Sequence, residues 1–148
     1  MGAMPAGERL GNAAWVVLLA NAVAAVVAVV ANWPAQFGGV GTDAGAELLS
    51  RGTAISAPLF PVFLILVVAV LARRPDRWGW VGIGVAYLAA ITVATGGIGE
   101  VAAEPTEDTP RAVLLTSGVV WVLVALAVAA LATAAVAERR RRRRGSQV

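Results

Sequence analysis

Four stretches of the chain run without a charged side chain: between Arg9 and Asp43, between Arg51 and Arg73, between Arg77 and Glu100, and between Arg111 and Glu138. Crossing a hydrocarbon layer of about 30 Å takes about 20 helical residues, and every stretch is long enough. The pattern predicts helical spans near 13–32, 54–72, 78–97 and 112–135. A soluble helix of this length would show a polar face on a 3.6-residue period. Residues 22–31 carry no polar side chain, and residues 119–131 carry none apart from the indole of Trp121.

Magnitudes agree with this reading. The nine Val and Leu residues between Val16 and Val30 favour insertion by roughly 3–5 kcal/mol, and one charge at the centre would cost about 2.5–3.5 kcal/mol. Spans built mostly from Ala and Val therefore tolerate no ionised residue, and none is present. The first span exceeds the usual hydrophobic core of a signal peptide, so it is expected to stay as a membrane helix. The expected architecture is an all-α membrane protein: one transmembrane domain over 1–148, four helices in a compact up-down-up-down bundle, and a basic cytoplasmic tail over 136–148.

Small residues set the expected packing, because they let helix backbones approach closely in lipid. Gly82, Ala86, Ala90 and Ala94 form a stripe on the third span. Asn21, Ala25, Ala28 and Asn32 share a face of the first, and Ser117, Ala125, Ala129 and Ala132 lie on the fourth. Pro58 and Pro61 are expected in the first turns of the second span, where a kink is tolerated. Gly96, Gly97 and Gly99 are expected to end the third. In the 33–53 loop, Thr42 is placed to cap a short surface helix whose Leu48 and Leu49 rest on the bundle.

Charge gives the sidedness. All twelve basic residues are arginine, and all but Arg51 and Arg111 lie in the N-terminal segment, the 73–77 turn or the C-terminal tail. The other two loops hold Asp43, Glu47, Glu100, Glu104, Glu107 and Asp108. Basic residues stay on the cytoplasmic side, so both termini are expected there, in a bacterial plasma (inner) membrane crossed several times. The tail run Arg139, Arg140, Arg141, Arg142, Arg143 and Arg144 is read as a flank that pins the last helix and contacts anionic lipid headgroups. Nucleic-acid binding is not expected, because aromatic interleaving and a folded basic domain are missing.

Composition narrows the chemistry. Of 148 residues, 59% are hydrophobic and 14% charged, with neither Cys nor His. Thiolate chemistry, disulfides and the commonest general base and haem ligand are thereby excluded, and no cofactor or metal is expected. The polar candidates inside or beside the spans are Asn21, Tyr87, Thr92, Thr95 and Glu100. Asn21 lies mid-span, where an unsatisfied amide is costly; it is read first as an interhelical hydrogen bond and second as a ligand or pore contact. Tyr87, Thr92 and Thr95 are its candidate partners or co-liners. Glu100, the acid nearest the hydrocarbon, is the candidate contact for a cation or solute.

The pattern of four spans, short length and Ala/Val-rich composition resembles the small four-span bacterial integral membrane families, including the DoxX-like group. That resemblance covers the whole chain but rests on span number, length and composition, so it carries over no functional residue. Three functions fit. One is a non-enzymatic bundle that assembles with or regulates a membrane partner, either another membrane protein or a further copy of itself. Another is a transporter or channel subunit for a small neutral or apolar solute, which predicts a central cavity lined by Asn21, Tyr87 and Thr92. The third is a membrane enzyme on a lipid or quinone-like substrate, with a thin set of acid–base groups.

Overall fold

The computed structural model describes residues 4–31, 52–53, 55–105 and 110–145. Among them the chain is all-helical: α1 (Ala6–Val30), α2 (Leu59–Leu71), α3 (Arg77–Ala102) and α4 (Arg111–Gly145). Three of these, α1, α3 and α4, are long and apolar enough to cross a membrane, which points to a membrane-embedded protein. The expected surface helix around Thr42, Leu48 and Leu49, and Asn32 of the first small-residue face, lie outside the described residues.

The second crossing differs from expectation. A helix over 54–72 is replaced by a 13-residue helix that starts only at Leu59, about 20 Å long, with a non-helical approach. Pro58 is the cause. A residue preceding proline is pushed out of the helical region, which stops the helix from reaching back through Ala57. Pro58 itself takes an extended conformation as the N-cap, and Pro61 falls in the first turn, where a missing N–H costs nothing. Upstream, Gly52 adopts a left-handed φ of 69°, and a side chain there would run into the Ser56 carbonyl and the Pro58 nitrogen.

The third helix runs through Gly96, Gly97 and Gly99 to Ala102 instead of ending at them. Gly97 serves as a contact instead. A Cβ there would lie 2.7 Å from the carbonyl oxygen of Gly118, and a Cβ on Gly118 would lie 2.5 Å from that of Gly97. The two backbones meet where neither can carry a side chain. Helix α4 continues through Gly145, into the basic segment expected as a tail over 136–148. Arginine is a good helix former, and nothing before Gly145 interrupts the run.

Packing follows the small residues. Gly82, Ala86 and Ala90 are buried on α3, Ala28 on α1, and Ala125 and Ala132 on α4. Ala86, Ala90, Ala125 and Ala132 join Leu64, Ile65, Val68, Ile83 and Val93 in one core. Helix α1 packs on α2 and α4, and α3 packs on α2 and α4. The start of α1, the α2–α3 turn and the end of α4 come together at an arginine-rich end of the bundle.

Candidate functional site

The five polar candidates do not line a common chamber. Asn21 is buried, and its Oδ1 accepts the backbone N–H of Ala57 at 2.7 Å. An extended segment in lipid needs its backbone groups satisfied by protein, and Asn21 supplies one acceptor in mid-helix. The same segment satisfies itself further on. Thr53 and Ser56 are buried, their hydroxyls lie 2.8 Å apart, and Thr53 Oγ1 accepts the Ser56 N–H at 3.1 Å. The interhelical hydrogen bond expected of Asn21 therefore reaches a stretch of chain that is not helical at all.

Tyr87 lies on the outer surface of the bundle, its hydroxyl 2.8 Å from that of Thr133 on α4. Thr92 and Thr95 bond back to the Leu88 and Ile91 carbonyls at 2.9 and 2.8 Å, the local bond that threonine makes inside a helix. The cavity between α1 and α4 and the smaller ones at the arginine-rich end and in the core are lined by none of Asn21, Tyr87 and Thr92. Glu100 is fully buried, on a helix that continues past it to Ala102.

A sizeable cavity lies elsewhere. It holds about 640 Å³ between α1 and α4 and is almost wholly apolar. Val16, Val17, Ala20 and Ala24 form one wall, and residues between Ala112 and Val124 form the other. Ile55, from the non-helical approach to α2, reaches the same space. Ser117 lines it too; the side chain is 7% exposed, and its Oγ is buried without a hydrogen-bond partner among the described residues.

At the arginine-rich end, two consecutive residues of α4 recognise opposite helix termini. Glu138 Oε2 accepts the Ala6 N–H at 2.6 Å, where Pro5 offers α1 no side-chain cap. Arg139 donates to the carbonyls of Ala72 and Asp76, each at 3.3 Å, and to that of Arg74, all beyond the end of α2. A carboxylate at a helix N-terminus and a cation at a C-terminus are each favourable. The alternation works because α1 begins beside the place where α2 ends. Arg139 also stacks over Trp80 at 5.7 Å.

This assignment alters the arginine tail. Arg139 is half-buried and bound to backbone, and Arg142 pairs with Glu138 at 2.5 Å. Arg140, Arg141 and Arg144 are exposed. The side chain of Arg143 lies outside the described residues.

Sequence reasoning missed the contacts of Glu138 and Gly118. Glu138 carried a signal, as the single acid on an apolar helix directly before the arginines. Gly118 carried one as well: between Arg111 and Glu138 it is the one glycine, placed next to Ser117. No protein-family model, curated protein or solved structure matches the chain.

Proposed function

We propose that this chain is a non-enzymatic membrane bundle that assembles with a membrane partner. The observation that carries the reading is the uncovered first helix. Asn21, Tyr87, Thr92 and Thr95 are engaged in internal bonds. In the most apolar 18-residue window of α1 only 17% of residues are buried, against 39% for α3 and 28% for α4. Leu19, Val23, Val26 and Val30 are each more than 60% exposed and fall on one face of α1 at helical spacing. A partner helix would dock there.

In this reading the four segments cross a bacterial inner membrane up-down-up-down, with both termini cytoplasmic. The arginine bias supports that sidedness. Arg140, Arg141 and Arg144, with Arg143, then meet anionic headgroups, each worth about 1 kcal/mol near such a surface. Purification in a mild detergent, with mass identification of what accompanies the chain, tests the proposal. A stoichiometric membrane protein or a second copy, cross-linked through position 23 or 26 of α1, is the expected result. A monomer that cross-links to nothing through those positions in intact cells overturns it.

A further inference from the structure

We propose that the uncovered face of α1 pairs with the same face of a second copy of the chain, as a parallel two-stranded coiled coil in which Glu8 of each copy meets Arg9 of the other. The inference rests on the assembly reading and names the partner.

Spacing argues for a coiled-coil seam. Val16, Val23 and Val30 recur every seven residues, Leu19 and Val26 follow the first two by three, and all five are more than 60% exposed. At 3.6 residues per turn they fall within about 80° of one another. A straight helix drifts about 20° per heptad from a seven-residue line, and a left-handed supercoil removes that drift. The opposite face keeps the same step: Ala14, Asn21 and Ala28 are buried, seven residues apart. Helix α1 therefore packs on its own bundle along a seven-residue line, and its outer stripe stays aligned with a partner helix over the same length.

Residue type argues for two strands and for a second copy. Branched residues at the first seam position of each heptad, with Leu at the second, favour two-stranded parallel coiled coils. Here the first position is Val16, Val23 and Val30, and the second is Leu19 and Val26. Copies inserted with the same sidedness present α1 in the same direction, so their seams meet in parallel with equal residues in each layer. Valine has one strongly preferred rotamer in a helix, so docking costs it little side-chain freedom. Close packing of this kind drives association in lipid.

The charged end supplies the complementarity. One heptad before Val16 the first seam position falls on Arg9, and Glu8 stands directly before it. In a parallel pair, a residue at the first seam position enters a hole that includes the partner residue just before its counterpart, which here is Glu8. Two-fold symmetry makes that contact twice. Glu8 and Arg9 are both exposed, and among the described residues neither side chain enters an ion pair or a hydrogen bond. The outer stripe of α3, with Val81, Leu88 and Ile91 exposed, lacks this feature. Its Asp76 caps the helix by accepting the Trp78 N–H, and its Arg77 lies over the Trp78 ring.

The test uses single-cysteine variants of the full-length chain, which has no cysteine of its own, oxidised with copper phenanthroline in the membranes of cells that express it. Val23→Cys and Val26→Cys are expected to form disulfide-linked dimers about fivefold faster than Ala22→Cys and Val29→Cys, which flank the seam, and than Leu88→Cys on α3. In the Val23→Cys background, Glu8→Arg should slow dimer formation about fivefold, the worth of two exposed ion pairs, and adding Arg9→Glu should restore it to within about twofold. If Glu8→Arg fails to insert, Arg9→Glu alone brings acids together and the same double variant reverses it. Equal rates on and beside the seam overturn the proposal, as does a double variant no better than the single one. A benzophenone carried on the cysteines at 23 and 26 separates the proposal from the assembly reading. Capture of a different protein there overturns the second copy as occupant and leaves that reading standing; capture of nothing overturns both.

Discussion

Helix α4 meets its two neighbours in opposite ways. Against α3 it closes to backbone contact at Gly97 and Gly118. Against α1 it closes only near the arginine-rich end and then opens past Val16 and Val124 into a groove. Both seams draw on the same vocabulary of alanine and valine. Lipid tails are as apolar as the side chains, so association within a membrane rests on closeness of packing. Two glycines placed opposite each other shut one seam. Valines with no facing glycine leave the other ajar.

The sharpest way to break this comparison is to add bulk to the closed seam. Gly118→Val places a branched side chain against the Gly97 carbonyl and against Val101. We expect stability to fall by about 1–3 kcal/mol or more, the usual cost of overpacking, read as the midpoint of unfolding in detergent. An unchanged midpoint would mean that the glycine contact does not hold α3 and α4 together.

Asn21→Ala comes next. It removes the acceptor for the Ala57 N–H and leaves a buried backbone donor stranded. The expected loss is about 1–3 kcal/mol, with Asn21→Asp retaining an acceptor at the cost of a charge. If Asn21→Ala melts with the wild type, the extended approach to α2 is held by other means, and the self-contained Thr53–Ser56 turn is the candidate.

Arg139→Ala is expected to cost about 1 kcal/mol, since it uncaps the end of α2, whereas Arg140→Ala should stay within about 0.5 kcal/mol. The pair separates a structural arginine from its exposed neighbours. Equal effects would return Arg139 to the role first expected for the whole run, a flank meeting headgroups.

Much of the fold was legible because the signal was coarse. Uncharged stretches locate α1, α3 and α4, and the stripes through Gly82, Ala86 and Ala90 and through Ala125 and Ala132 anticipate buried faces. The second crossing was misjudged because hydropathy counts apolar residues without asking what Pro58 does to the residue before it. The glycines at 96–99 were misjudged for a related reason. Glycine ends helices cheaply in water, but in a bundle it also marks where backbones touch, and only the partner Gly118 tells the two apart. The candidate site was less legible still. A seam depends on which faces meet, and neither Gly118 nor Glu138 announces its neighbour across the fold.

The smallest expected effect gives the closest control. Ala20→Leu adds three carbons to the open seam, the same number that Gly118→Val adds to the closed one. Ala20 is exposed and lines the groove, so the new side chain has room to occupy. Stability should change by no more than about 0.5 kcal/mol, with unchanged helix content and a monodisperse elution profile. A loss as large as that of Gly118→Val would show that the α1–α4 seam is as tightly closed as the α3–α4 seam, and the contrast between the two faces of α4 would fail.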